Sequence, residues 1–308
     1  MVLHPIYMPV EEERLREHFA QVRVRGQCVD TADLHIPQFQ KSIERYEAFQ
    51  KEHGPRPGLP LSKVRFPCQI EKDERFWTAS SFLALFYSPA RVDELSCLLQ
   101  LAYGEKPPVD GLPSWASCLE GELFLFFEAN LPSPALYKKW LREHLRERHL
   151  IPYVLQSDNG SKNLEGPTNV DALLLNASNG FAVVIEAKVL SDVSCQITYD
   201  VQRNQIARNI DVMLEENASL CYPLHQRDPS KTLFLLVTPE IFRKNPSSRL
   251  YGFLMREYRK DPLALARDLP HRSGLEAREV AQRIGWVTWE DMQGINSGSC
   301  SWLHERLE

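Results

Sequence analysis

Asn179-Gly180 stands between two runs rich in apolar and β-branched residues, NVDALLLN (169–176) and FAVVIEAKVL (181–190). An Asn-Gly pair supplies the left-handed backbone of a tight hairpin turn, so the two runs are expected to be adjacent antiparallel strands. A chain built on such a hairpin must complete a sheet, and its neighbours supply the parts. TLFLLVTPEI (232–241) reads as a buried strand, and GWVTW (285–289) and IPYVLQ (151–156) as short ones. Between them lie amphipathic helical patterns: PSPALYKKWLREHLRERH before the hairpin, a stretch from Tyr199 to Glu216 after it, and segments near Leu250–Tyr258 and Leu275–Ile284. The expected fold class is α/β, with a central mixed β-sheet flanked by helices.

Residues 1–130 differ in character. EEERLREHFAQV and FQKSIERYEAFQKEH are charged amphipathic helices, the second stopped by Gly54 and Pro55. FWTASSFLALFY and VDELSCLLQLAYG have the apolar content of core helices. GPRPGLPLSKVRFP and GEKPPVDGLPSW carry too much Pro and Gly for a regular element. A mainly helical N-terminal region, 1–130, is therefore expected beside an α/β domain at 131–308. The net charge of −5 lies entirely in the first region, which suits it to contacting a partner or a substrate.

The hairpin also carries the chemistry. Asp171 and Glu186 fall on its two strands, and Lys188, two residues beyond Glu186, shares a strand face with it. Adjacent strands lie about 4.8 Å apart, so the two carboxylates can converge on one hard cation. Charged groups in an apolar strand are costly unless paired or metal-bound. A sheet-edge Glu–Lys ion pair is the plain alternative; FAVVI before the pair and VL after it look instead like a central strand. The functional reading gives Asp171, Glu186 and the carbonyl of Ala187 to Mg²⁺ or Mn²⁺. The cation would activate water and stabilise charge on a phosphate, while Lys188 would orient or deprotonate that water.

On Asp171 in PTNVDALLL, the Glu186-Ala187-Lys188 triplet and the order of elements around them, the sequence resembles the PD-(D/E)XK nuclease superfamily, the restriction-endonuclease-like fold. The resemblance covers roughly residues 132–240. It departs from the family pattern in having Val170, not proline, before Asp171. It implies a metal-dependent nuclease, cutting as an endonuclease or an exonuclease, that acts on nucleic acid, DNA ahead of RNA. It also implies an acid on the helix preceding the sheet, here Glu147 with Glu143 as the other candidate. An amide-bearing helix after the triplet would offer Gln202 and Gln205, with Arg203 and Arg208 reaching phosphates. The alternative is a catalytically inactive binding or scaffold protein that keeps the nuclease fold.

Other classes find less support. No apolar run approaches the ~20 residues of a membrane span, and the N-terminus lacks a secretory pattern, so a cytoplasmic location is expected. Seven scattered cysteines without a CxxC pair read as mostly buried thiols, not as a disulfide framework or zinc site. No GxSxG elbow or phosphate-binding GxxxxGK[ST] loop is present. Arg243 to Arg283 holds ten basic residues against five acidic ones, either a phosphate-contacting surface or a solvated helical one. With so neutral a chain, tight DNA binding is expected to draw on a homodimer or a partner protein.

Overall fold

The computed structural model describes residues 12–54, 56–64, 73–157, 160, 163–194, 199–216, 218–272, 276–300 and 303. In chain order, a short helix α1 (Glu12–Arg16) leads to a small hairpin, β1 (Val22–Val24) and β2 (Gln27–Val29), and then to the helices α2 (Ala32–His53), α3 (Glu74–Phe86), α4 (Arg91–Tyr103) and α5 (Trp115–Leu119). The strand β3 (Leu123–Leu131) follows, with the helices α6 (Ala135–Arg148) and α7 (Pro152–Ser157). Next come β4 (Thr168–Asn176), β5 (Ala182–Ala187), α8 (Gln205–Met213) and β6 (Thr232–Thr238). The chain continues through α9 (Glu240–Lys244), α10 (Leu250–Lys260), α11 (Pro262–Asp268), α12 (Ala277–Gln282), β7 (Ile284–Thr288) and α13 (Trp289–Ile295).

The expected mixed sheet is present: five strands in the order β3-β4-β5-β6-β7, antiparallel across the first two pairs and parallel across the last two. The Asn179-Gly180 hairpin joins β4 to β5. Gly180 has φ +78°, and a Cβ there would come within 2.9 Å of the Asp228 side chain, so this turn needs glycine twice over. β5 and β6 are buried along their whole length. One sheet face (Ala172, Leu174, Val183, Ile185, Leu233, Leu235) packs on α2 to α5 and α13 through Phe39, Phe76, Leu83, Leu98 and Trp289. The other (Val170, Leu173, Leu175, Val184, Phe234, Leu236) packs on α8 and α10 to α12 through Ile206, Ile210, Met255 and Leu265. A sheet apolar on both faces needs a helical layer on each, and the N-terminal region supplies one of them.

Several expectations are corrected. LFLFFEANL, within the segment read as helical or irregular, is β3; it pairs with β4 on both sides of Glu128, and burial on both faces erases the alternation that marks a half-exposed strand. The division at 130/131 therefore falls inside a sheet strand. IPYVLQ is the helix α7, opened by Pro152 in a favoured first-turn position. The helix from Tyr199 shortens to α8, because the Asn204 side chain caps it by accepting from the Ala207 amide at 2.8 Å.

Cys28 and Cys221 form a disulfide, against the reading of the cysteines as thiols. Cys118 and Cys300 are buried thiols, Cys97 is exposed, and Cys68 and Cys195 lie outside the described residues. Disulfides belong to oxidising compartments more than to the cytoplasm, so the pair runs against the expected location. Among the described residues no helix is long and apolar enough to cross a membrane.

Much of the basic stretch is spent internally. Arg243 pairs with Asp291, Lys244 with Glu240, Arg267 with Asp268 and Arg272 with Asp211, while Arg283 donates to the Pro229 carbonyl. These five of its ten basic residues have partners within the chain, a third arrangement beside the phosphate-contacting and solvated surfaces expected.

The disulfide closes a loop of 193 residues, which in the chain-entropy account stabilises the fold by at most about 5 kcal/mol. Cys28→Ser, or thiol reductant, is expected to lower the thermal unfolding midpoint by several degrees. An unchanged melt after reduction would count against a structural role for the bond.

Candidate active site

The register brings the acids together. Ala172 pairs with Ile185 and Phe127 with Ala172, so one step along, Asp171 stands opposite Glu186 on one side and Glu128 on the other. Positions 128, 171 and 186 thus share one rung across β3, β4 and β5. Glu128 has φ +51°, a left-handed conformation unusual for a non-glycine residue, and β3 breaks its pairing there. Glu128 and Asp171 line a cavity of about 10 Å³ with Phe39, Arg75, Thr78 and Phe127, room for a single water.

Glu186 is completely buried and surrounded by donors. Its Oε1 accepts from Lys188 Nζ at 2.5 Å and from Gln205 Nε2 at 2.6 Å, and its Oε2 from Asn209 Nδ2 at 2.5 Å. Gln205 and Asn209 are one turn apart on α8, so both amides face the same carboxylate. The Ser194 amide donates to Gln205 Oε1 at 3.2 Å and fixes which end of the Gln205 amide points at Glu186.

Asp171 Oδ2 accepts from the Ala187 amide at 2.7 Å. Burial first, and then the charge of Glu186, push the Asp171 carboxyl well above the usual carboxylate range, against the opposing pull of Lys188 and the Ala187 amide. Glu128 is raised as well, by burial foremost, with Arg75 opposing and Glu186 and Asp73 adding to the rise. For Lys188, burial favours the neutral amine, but Glu186, Asp171 and Glu74 outweigh it and hold the group as an ammonium. Its backbone is fixed too: the Lys188 amide donates to Val237 O at 2.9 Å and Trp289 Nε1 to Lys188 O at 3.0 Å.

Glu74, the first residue of α3, reaches the site from the other helical layer. Its Oε2 lies 3.5 Å from Lys188 Nζ, and its Oε1 accepts from the Val189 amide at 3.2 Å and from the Ser191 hydroxyl.

Of the expected residues, the structure gathers Asp171, Glu186, Ala187, Lys188 and Gln205. Gln202 is exposed and accepts from Arg148 Nη1 at 2.6 Å. Glu143 and Glu147 are exposed on α6, beside a cleft shared with α7 and away from the acid rung. They are displaced because α6 lies between β3 and β4 in the chain, and the helices preceding the true first strand are α3 to α5. Arg203 does not offer itself to phosphate: it is buried, paired with Glu165 and Asp211, and stacked 3.5 Å from the Tyr137 ring centre. Arg208 donates to the Gly166 and Pro167 carbonyls.

Sequence reasoning passed over Glu74, Glu128 and Asn209. Glu128 carried the same signal as Glu186, a lone acid in an apolar run. Asn209 was marked by its spacing of four from Gln205. Glu74 had no local mark, since only the packing of α3 brings it to Lys188.

Asp171, Glu186 and the Ala187 carbonyl offer oxygen donors of the kind a hard divalent cation takes, and the charge of Glu186 adds to the rise of the Asp171 carboxyl. Among the described residues, no three His, Cys, Asp or Glu side chains are gathered as a ready-made metal cage. The chain matches no protein-family model, no curated protein and no solved structure.

A raised folded-state carboxyl penalises the folded protein once pH exceeds its unfolded value near 4, and the penalty is complete above the folded value. Asp171→Asn is therefore expected to raise the unfolding midpoint at pH 7–8 without divalent cation, with the gain vanishing as pH falls towards 4. A variant less stable than wild type at pH 8 would refute this electrostatic account.

Proposed function

We propose that the chain is a metal-dependent nuclease of the PD-(D/E)XK type, hydrolysing phosphodiester bonds in nucleic acid, DNA ahead of RNA. One observation carries the reading: Glu186 and Lys188 are buried side by side at the end of a central strand, with Asp171 opposite and the Gln205 amide on the same carboxylate. From β4 onward the order strand, strand, helix, strand matches what the resemblance implies, whereas α6 and α7 stand between β3 and β4.

Asp171, Glu186 and the Ala187 carbonyl would hold Mg²⁺ or Mn²⁺. When bound, such a cation supplies Lewis acidity and a more acidic water. The chain's own residues do the rest. Gln205 and Asn209 fix the rotamer of Glu186, and the Ala187 amide fixes that of Asp171. Lys188, held as an ammonium in this state, donates: it orients water and offsets charge on the phosphate. Of the two tasks expected of Lys188, deprotonation of water suits that charge state less well. Glu74 keeps the ammonium beside the strand end, where substrate phosphate would meet it.

A binding or scaffold protein of the same fold is the second reading, favoured by the saturation of both Glu186 oxygens with protein donors. Incubation with circular and linear single- and double-stranded DNA and with RNA, in Mg²⁺, Mn²⁺ or chelator, separates the two. Cleavage is expected only with cation. Glu186→Ala or Lys188→Ala is expected to lower it by roughly a hundredfold or more while the protein stays folded. Full activity in a clean Glu186→Ala preparation would remove the motif from the mechanism; binding without cleavage by wild type would establish the second reading.

A further inference from the structure

Lys188 has one partner it cannot keep. A divalent cation on Glu186 repels the ammonium 2.5 Å from that carboxylate, whereas the uncharged amides of Gln205 and Asn209 are free to stay. Lys188 is 5% exposed, so the displaced ammonium must find new partners inside the protein. Glu74 Oε2, at 3.5 Å from Nζ, is one.

Tyr251 is the other group placed to serve. It is fully buried, yet its hydroxyl has no hydrogen-bond partner, although the large majority of buried side-chain polar atoms are paired. Its position is tied to Lys188 through the segment that follows the triplet. On one side, Glu74 holds the Val189 amide and the Ser191 hydroxyl. On the other, Asp192 accepts from the Leu250 and Tyr251 amides at 2.7 and 3.2 Å and so seats the first turn of α10. Burial first keeps the hydroxyl protonated, with the charges of Arg249, Asp192, Glu74 and Lys188 also acting on it, so it has lone pairs to accept and a proton to give. Phe242 and Trp286 pack edge-on against its ring and fix the side chain.

We propose that Lys188 has two seats: on Glu186 in the cation-free protein, and between Glu74 and the Tyr251 hydroxyl once a divalent cation takes Glu186. Tyr251 is thereby a positioning residue for Lys188. The inference rests on the cation-dependent reading of the site. It gives the unpaired hydroxyl a task in the loaded state and none in the free one.

The test is calorimetric titration of wild type and Tyr251→Phe with Mn²⁺ or Ca²⁺ alone, beside cation-free melts. Tyr251→Phe is expected to bind the cation about tenfold more weakly, the worth of one hydrogen bond to a charged group. Its cation-free melting midpoint should be unchanged or higher, since Phe removes an unsatisfied hydroxyl and keeps the ring. A merely structural hydroxyl would lower that midpoint and leave cation affinity alone. Equal cation affinity in the two proteins overturns the proposal. So does an equal loss in Phe242→Leu, which disturbs the same packing without touching the hydroxyl. Wild type that binds cation but cleaves neither DNA nor RNA removes the nuclease reading and leaves the two seats standing. Wild type that binds no divalent cation removes both.

Discussion

A carboxylate buried in the middle of a sheet is tolerable only while donors surround it, and Glu186 has three, from a lysine two residues away and two amides on α8. Removing the lysine would leave the carboxylate charge unpaired in a low-dielectric interior, and removing either amide would leave a buried oxygen short of a donor. The placement of α8 against β5 is therefore an electrostatic requirement as well as an apolar one. Ile206 and Ile210 bury against the sheet on the same helix that turns Gln205 and Asn209 to the carboxylate. The hydrophobic face sets the depth of the helix, and the amides set its rotation.

That rotation is secured from behind by a second buried network. Arg203, just before α8, joins Glu165 and Asp211 and lies over Tyr137, whose hydroxyl donates to Asp200 at 2.7 Å. Arg148 from α6 pairs with the same Asp200. Burial alone would raise the Asp211 carboxyl, but the His271 hydrogen bond and the charges of Arg203 and Arg272 hold it down at about 2. These groups look like candidate phosphate ligands in sequence because arginine and acid cluster there. In the fold they neutralise one another, and their effect on the site is to keep α8 in register with Glu186.

The central part of this was legible in the sequence for a physical reason. A hairpin turn demands glycine at a left-handed position, and charged residues in an apolar strand demand partners, so Gly180, Asp171, Glu186 and Lys188 all announce themselves locally. Gln205 could be read from its helix face, though Gln202, on an exposed turn before α8, could not be separated from it until the Asn204 cap fixed where the helix begins. β3 escaped because a strand buried on both faces shows no alternation. Its loss moved the search for the helix acid to α6, and with it to Glu147. Glu74 and the Cys28–Cys221 bond depend on contacts 114 and 193 residues apart, which no local pattern encodes.

The same contacts decide what the N-terminal region is for. Were it only a partner-binding appendage, the sheet face bearing Val183, Ile185 and Leu235 would stand open to water, and Lys188 would keep Glu186 as its sole close anion. Instead α3 presents Glu74 to the lysine, α2 closes the cavity beside Asp171 with Phe39, and the disulfide fastens the hairpin ahead of α2 to the segment after α8. The acidic positions of one rung come from three strands, and the ammonium beside them bridges β5 and α3. A rung between two helical layers can be reset by a shift of either one. For that reason the residues that position Lys188, more than the acids themselves, are where such a site would be tuned.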